Sequence, residues 1–388
     1  MSASSSGRAS LLTPVGRGAV AVVVAEGEAA LAAIDASFVA ANGRSIRQQR
    51  PERIVFGHWT SGAHREELVV VRDVGSGVEV HCHGGVAAAE RILAAFASAG
   101  CVVETWQSRL ERMAASTIEA EADAALARCT TRRAASILLV QREGALRREV
   151  DAIRDDLASD QRESAVKRIE ALLARAPLGL HLTEPWRVAI AGRPNVGKSC
   201  LMNALVGYQR AIVFDQPGTT RDVLTAETAI DGWPVRLADA AGIHETDDEL
   251  EAEGVLRARQ QLAQADLTLW LLDGSQLAGD PLETMNLQWR EATGQPVASS
   301  QVLAVVNKVD LLPAQSADTD AEGVQFVSAL TGAGLAELIA SIGRALVPAA
   351  PQDEAVPFTP RQIELLSVAH ANIMAGRLNE AAEALSRL

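Results

Sequence analysis

The chain has 388 residues, of which 48% are hydrophobic and only 3% aromatic, and its formal net charge is −13. This length is too great for one ordinary core, and it predicts two or three domains whose interiors are filled mainly by Ala, Val and Leu. So large a negative charge argues against a protein that grips nucleic acid alone through an extensive basic surface.

The four cysteines, Cys82, Cys101, Cys129 and Cys200, match no zinc or redox spacing. Such cysteines are typical of a reducing compartment, and we expect a cytoplasmic protein. No uncharged apolar run is as long as a membrane span, and the small, polar residues 1–10 lack the apolar segment of a signal peptide. The sequence therefore predicts no membrane contact.

The first predicted domain, residues 1–106, mixes strand-like and helix-like stretches. Runs of β-branched or alternating residues at 20–25, 68–72 and 78–83 predict strands, and 90–99 predicts a helix that starts after Gly84-Gly85. We expect a small α+β domain.

Two separate stretches predict an α-helical domain. Residues 107–185 are rich in Ala, Arg, Glu and Leu, with apolar residues at helical spacing. Residues 350–388 follow a proline-containing linker and again have a helical pattern. We expect the two stretches to pack together, so that residues 186–349 form an insertion between them.

Strands and helices alternate in residues 186–349, a pattern that predicts a mostly parallel sheet with helices on both faces. The predicted fold is therefore multidomain, with an α+β N-terminal domain, an α-helical domain and an inserted α/β P-loop domain. The predicted strands of the inserted domain are 187–191, 235–239, 267–273, 302–307 and 325–328.

A phosphate-binding loop is predicted at Gly192–Ser199, where the residues read GRPNVGKS between an apolar strand and a helical stretch. Its glycines allow backbone amides to point at phosphates. Lys198 is expected to neutralise the β- and γ-phosphates as a catalytic residue, and the Ser199 hydroxyl to ligate Mg²⁺. The predicted nucleotide-binding residues of this loop are Asn195, Val196, Gly197, Lys198 and Ser199.

Two further motifs complete the predicted phosphate and magnesium site. Asp239-Ala-Ala-Gly242 ends a strand; Asp239 is expected to hold Mg²⁺ through water, and the Gly242 amide to sense the γ-phosphate. Between the loop and this motif, Thr220 is expected to complete the magnesium shell when GTP is bound, with Thr219 as the alternative.

A guanine-reading motif, Asn307-Lys-Val-Asp310, ends another apolar strand. The Asp310 carboxylate can accept hydrogen bonds from guanine's ring NH and exocyclic amine, which adenine does not offer together, so the motif favours GTP over ATP. Ser328 and Ala329 follow the next strand and are expected to close over the base. Lys308 and Lys198 are two of only three lysines in the chain, which indicates that a compact ammonium is needed at these positions.

These residues resemble the MnmE (TrmE) family of tRNA modification GTPases. The loop GRPNVGKS, the stretch AIVFDQPGTTRDVL at 211–224 and the order of motifs are close to that family. In the first domain, Thr13-Pro-Val-Gly-Arg-Gly18, Phe56-Gly57-His58 and Val78–Gly85 are similar to its N-terminal signatures.

The resemblance implies a mechanism and partners. In this family a loop asparagine, here Asn195, helps to hold a K⁺ ion, and the GTPase domains of two subunits meet across it. A glutamate after the DxxG motif orients the water, which by alignment is Glu251; a solvent-exposed helical residue is the open alternative. The family also implies a homodimer, a reduced folate in the first domain, and action on tRNA with an MnmG-like flavoprotein.

Some segments depart from the family pattern. Residues 74–77 form a short turn in place of a longer insert, residues 104–122 replace a basic stretch, and no cysteine follows Cys200, whereas the family ends in a Cys-Ile/Leu-Gly-Lys tail.

These observations leave three candidate functions. The first is a GTPase for tRNA wobble-uridine modification, and the second is a regulatory or scaffolding GTPase without the folate and tRNA chemistry. The third, an Era- or Der-like ribosome assembly factor, is ranked last because no basic RNA-binding domain is visible.

Overall fold

The chain divides into two compact units, Met1–Ala120 and Glu121–Leu388. The predicted domain boundaries at 106, 185 and 349 stay predictions. The computed structural model describes residues 7–16, 18–62, 64–208, 225–239, 261–297, 302–312 and 323–388.

The first unit is built on a seven-stranded sheet with the strand order β3-β4-β5-β6-β2-β1-β7, in which only β1 and β7 pair in parallel. The α+β pattern expected for its residues is confirmed. Its elements are β1 (Arg8–Leu11), β2 (Val20–Glu26), α1 (Glu28–Ser37), β3 (Phe38–Ala40), β4 (Ile54–Ser61), β5 (His64–Arg72), β6 (Gly77–His83), α2 (Val86–Ser98), β7 (Val102–Val103) and α3 (Trp106–Met113).

The three predicted strands of this unit are present; β2 and β6 are each one residue longer than expected, and β5 begins four residues earlier, at His64. The predicted helix is also present: α2 begins at Val86, directly after its N-cap Gly85, as the prediction of a start after Gly84-Gly85 requires. Alternation along β2 and β6 sends Val23 and Val80 to one face, where they pack with the buried Phe96 of α2. The unit's core therefore lies between the sheet and its helices.

The second unit begins and ends with helices. These are α4 (Thr117–Leu126), which crosses the division between the units, α5 (Arg132–Arg142), α6 (Ala145–Ala158), α7 (Arg162–Leu180), and, at the other end of the chain, two helices that we number α11 (Pro360–Met374) and α12 (Leu378–Ser386). Both predicted helical stretches are confirmed as helices. In the part of the chain that the structure describes, no helix is both long and apolar enough to span a bilayer.

Residues 354–358, which form neither helix nor strand, lead into α11. The buried side chain of Gln141 donates to the Glu354 carbonyl oxygen at 3.0 Å and accepts from the Val356 amide at 3.1 Å. A Cβ at Gly179 would lie 1.9 Å from the Pro357 carbonyl oxygen, so only glycine allows α7 to come this close. The segment is thereby held against α5 and α7, more than 170 residues away in sequence.

Between the two helical stretches lies a six-stranded sheet with the order β13-β12-β11-β8-β10-β9, parallel except for the edge strand β9. The expected mostly parallel α/β fold is confirmed. Its elements are β8 (Trp186–Gly192), α8 (Lys198–Tyr208), β9 (Thr225–Ile230), β10 (Trp233–Asp239), β11 (Leu267–Asp273), α9 (Pro281–Thr293), β12 (Val302–Asn307), β13 (Val324–Phe326) and α10 (Leu335–Leu346).

The predicted strand at 325–328 was wrong at its end. Strand β13 ends at Phe326, and Ser328 lies in a turn in which its hydroxyl accepts from the Thr331 amide at 3.1 Å and its own amide donates to the Ala333 carbonyl oxygen at 2.9 Å. A serine side chain that bonds to nearby backbone competes with strand pairing, which explains the early end.

We expect Gln141→Leu to lower the free energy of unfolding by about 2 kcal/mol, because it leaves the buried Val356 amide without its acceptor and the Glu354 carbonyl without its donor. Urea unfolding followed by far-ultraviolet circular dichroism measures the change. Gln352→Leu, at an exposed position two residues before this segment, is the matched control and should unfold as the unaltered chain does. Equal stability of the two variants would contradict the role assigned to Gln141.

Candidate nucleotide-binding site

The loop after β8 is shaped by two glycines. Any other residue at either position would displace neighbouring atoms. Gly192 has φ 141°, and a Cβ there would lie 2.4 Å from the Leu271 carbonyl oxygen. Gly197 has φ 98°, and its Cβ would lie 2.3 Å from the Asn307 side-chain nitrogen. Asn195 between them has φ 63°, a left-handed conformation that asparagine tolerates. The loop therefore curves as an anion-binding loop must.

Lys198 opens helix α8 and folds back over this loop. Its Nζ donates to the carbonyl oxygens of Gly192 at 3.1 Å and Arg193 at 3.0 Å. Burial lowers the pKa of the Lys198 ammonium, and the nearby Asp239 carboxylate opposes that effect. A phosphate in the loop would favour the charged ammonium, and the described residues engage only two of its three donors.

Asp239 ends β10 and lies beside the first turn of α8. Its Oδ2 accepts from the Ser199 hydroxyl at 2.9 Å. Its Oδ1 is buried and accepts no hydrogen bond from any residue that the structure describes. Mg²⁺ prefers oxygen ligands such as carboxylates and hydroxyls. The unpaired carboxylate oxygen of Asp239 and the Ser199 hydroxyl therefore fit a magnesium site.

Asn307 ends β12 and joins three segments. Its side chain is 2% exposed. Its Nδ2 donates to the Val196 carbonyl oxygen at 2.8 Å, and its Oδ1 accepts from the Ala329 amide at 3.0 Å. The phosphate-binding loop and the segment after β13 are thus bonded to a single side-chain amide.

Lys308 and Asp310 follow Asn307 directly. Lys308 is left-handed, with φ 65°, and its Nζ lies 2.7 Å from Oδ2 of Asp273. Asp310 is exposed in the short 3₁₀ helix Val309–Leu311, where its carboxylate can meet a base. Sequence reasoning missed Asp273, although a carboxylate at the end of a buried parallel strand is a signal that would have found it.

The strand order explains why these residues come together. Strands β12, β11, β8 and β10 are parallel neighbours, so their carboxyl ends lie at one edge of the sheet. Ligands in open α/β sheets bind at this edge. The loop after β8, Asp239 and Asn307 are therefore placed along one side of the fold. Thr219, Thr220, Gly242 and Glu251 lie outside the described residues, and their roles stay predictions.

The model of a protein family described as 50S ribosome-binding GTPase matches residues 187–308. The tRNA modification GTPase MnmE of Bacillus velezensis is 33% identical to this chain, over 82% of the chain and 75% of that protein. The MnmE of Prochlorococcus marinus strain MIT 9313 is 32% identical, over 94% of the chain and 88% of that protein.

The chain belongs to the MnmE family. It is therefore a GTP-hydrolysing enzyme. Among solved structures, an Era variant of Aquifex aeolicus bound to GDP.AlF4⁻ is 28% identical, covering 48% of this chain and 66% of its own, with a TM-score of 0.32. The G domain of the FeoB iron transporter of T. maritima is 26% identical, covering 42% of this chain, with a TM-score of 0.29.

For this MnmE family member we expect Asp310→Asn to weaken GDP binding by about 100-fold, because two hydrogen bonds from guanine to a carboxylate contribute about 1.5 kcal/mol each. Xanthine has a carbonyl where guanine has the exocyclic amine, so the variant should bind XDP more tightly than the unaltered chain does. Fluorescent GDP and XDP analogues measure both affinities. Glu337→Gln, on the first turn of α10, is the control, and an unchanged GDP affinity in Asp310→Asn would contradict the guanine assignment.

Proposed function

We propose that this MnmE family member hydrolyses GTP with Mg²⁺ and K⁺ as part of tRNA wobble-uridine modification. One observation carries the proposal: the similarity to MnmE proteins extends over 82–94% of the chain and so includes the first unit as well as the GTPase fold. A GTPase domain alone would be shared with many proteins of other function.

We propose that the chain's own residues orient the reactants. The amides of the loop at 195–199 bind the phosphates, and Lys198 neutralises the charge on the β- and γ-phosphates. Water attacks the γ-phosphorus, the bond to the β–γ bridging oxygen breaks, and GDP and phosphate leave. Glu251 is proposed to orient that water. A Mg²⁺ ion held by Ser199 and Asp239, with Thr220 or Thr219, would offset negative charge on the phosphate oxygens when bound.

The proposed potassium site involves Asn195. A K⁺ ion beside this residue would place positive charge near the β–γ bridge, where negative charge develops as the bond breaks. The position of Asn195 between Gly192 and Gly197, inside the curved loop predicted to bind the phosphates, supports the assignment.

The proposed domain layout places the GTPase domain, residues 186–349, between two parts of one helical domain, residues 107–185 and 350–388. The bonds from Gln141 and the close approach of Gly179 to residues 354–358 support this layout. We further propose a homodimer, a reduced folate in the first domain, and a cytoplasmic complex with tRNA and an MnmG-like flavoprotein.

The potassium assignment predicts that GTP hydrolysis by the unaltered chain is faster in K⁺ than in Na⁺ at equal ionic strength. Asn195→Gly removes the side chain but keeps the left-handed backbone, so we expect the rate in K⁺ to fall to the rate in Na⁺. Phosphate release under saturating GTP measures both rates. Asn42→Gly, in the first unit, is the control. A variant that keeps its potassium stimulation would remove Asn195 from this role.

The proposed tRNA function is tested by complementation of a bacterial strain that lacks its own MnmE. The unaltered chain should restore the modified wobble uridine, measured by mass spectrometry of digested tRNA, and Asp239→Asn should not. If the chain hydrolyses GTP in vitro but leaves the uridine unmodified, the tRNA proposal fails and the alternative, a regulatory or scaffolding GTPase, is favoured.

A further inference from the structure

Asp273 lies at the end of β11 and is engaged on both carboxylate oxygens. Oδ1 accepts from the Ser275 amide at 3.0 Å and from the Ser275 hydroxyl at 2.6 Å. Oδ2 accepts from Nζ of Lys308 at 2.7 Å. The side chain of Asp273 is 9% exposed and that of Lys308 is 30% exposed, so the ion pair is largely shielded from water.

The loops that carry these two residues are packed tightly. Asp273 and Asn307 are partners in the parallel pairing of β11 with β12. A Cβ at Gly274 would lie 2.8 Å from the Asn307 carbonyl oxygen, which leaves no room for a side chain between the loops. The carboxylate of Asp273 therefore has a fixed position beside the guanine-reading motif.

The charge of Asp273 is stable at neutral pH. Burial raises the pKa of this carboxyl group, but the hydrogen bonds from Lys308 and Ser275 outweigh burial, and the net pKa lies below the ordinary value for aspartate. The carboxylate thus stays ionised across the physiological range. A fixed negative charge can hold the flexible Lys308 side chain in one arrangement whether or not a nucleotide is present.

We propose that Asp273 is a positioning residue for guanine nucleotides, which orders the Lys308 side chain beside the base-reading Asp310 before the nucleotide binds. The inference rests on the proposed nucleotide-binding role of Lys308. Without Asp273, the long lysine side chain would have to be immobilised when the nucleotide binds, and the affinity would fall. Because Lys308 belongs to the base-reading motif and not to the phosphate loop, GDP and GTP should be affected equally.

The first test compares Asp273→Asn with Glu227→Gln. Asparagine keeps an oxygen that can accept from Ser275 but removes the charge that holds Lys308. The control removes the same charge from an exposed ion pair of the same sheet, Glu227 with Arg236 at 2.6 Å. We expect Asp273→Asn to raise the Kd of fluorescent GDP and GTP analogues about tenfold, the change that corresponds to ordering one long side chain, while the control leaves both unchanged. The kcat at saturating GTP should stay the same.

A double-variant cycle shows whether Asp273 acts through Lys308. Lys308→Met removes the ammonium and keeps most of the stem; in this background Asp273→Asn should have no further effect on Kd. An equal, additive effect of Asp273→Asn in both backgrounds would overturn the proposal and indicate a general role in loop folding. An unchanged Kd in Lys308→Met would also overturn it, and would separately show that the binding role of Lys308 is wrong.

Asp273→Glu is the second variant, for the case that Asp273→Asn does not fold. Glutamate keeps the charge, so binding should be weakened less than in Asp273→Asn and should become more sensitive to salt as the ion pair loosens. Loss of affinity as great as that of Lys308→Met, with the circular dichroism spectrum unchanged, would contradict the charge as the cause. These experiments measure nucleotide affinity, whereas the proposed function is tested by GTP hydrolysis at saturation and by tRNA modification. A failure of the Asp273 proposal is therefore distinguishable from a failure of the proposed function.

Discussion

The geometry of the nucleotide site depends on the side-chain amide of Asn307. It donates to the phosphate-binding loop at Val196 and accepts from Ala329 in the segment after β13. An amide side chain can donate and accept at two separate atoms, and because Asn307 is buried, a partner left without its bond would have no water to replace it. Gly197 must be a glycine because this amide lies where a Cβ would be. The predicted phosphate-binding loop and the segment predicted to close over the base are therefore both hydrogen-bonded to one residue.

The chemistry is confined to the strand ends because the buried positions inside the strands are almost all apolar. All but the last residue of β11 are buried, and β8 has a nearly continuous buried run. Such parallel strands are covered by helices on both faces and have no solvated face to hold a charge. Asp239 and Asp273 are accordingly the last residues of their strands, each with one oxygen paired to a hydroxyl or an ammonium of a neighbouring segment.

The helices that precede and follow the sheet are held together by hydrogen bonds from side chains to backbone groups as well as by apolar packing. The Gln141 side chain bonds to the backbone of residues 354 and 356, and the buried Gln362 side chain accepts from the Phe358 amide at 2.8 Å. These bonds fix the chain where it leaves the sheet and enters α11. Buried glutamines that satisfy backbone groups in this way specify one arrangement of the connecting segment, because any other would leave those groups unpaired.

The sequence by itself determined the order of motifs, the strands that carry them and the mostly parallel sheet, because the phosphate loop and the apolar strand runs are local patterns. Strands β11 and β12 have the predicted bounds, and α2 begins after Gly85 as predicted, while the strand before Ser328 ends early. Only the tertiary structure decided which side chains meet. The pairing of Asp273 with Lys308 joins residues 35 positions apart, and that of Gln141 with residue 356 joins positions 215 apart. No local propensity encodes such contacts, since they arise from strand order and from the need to satisfy buried polar groups.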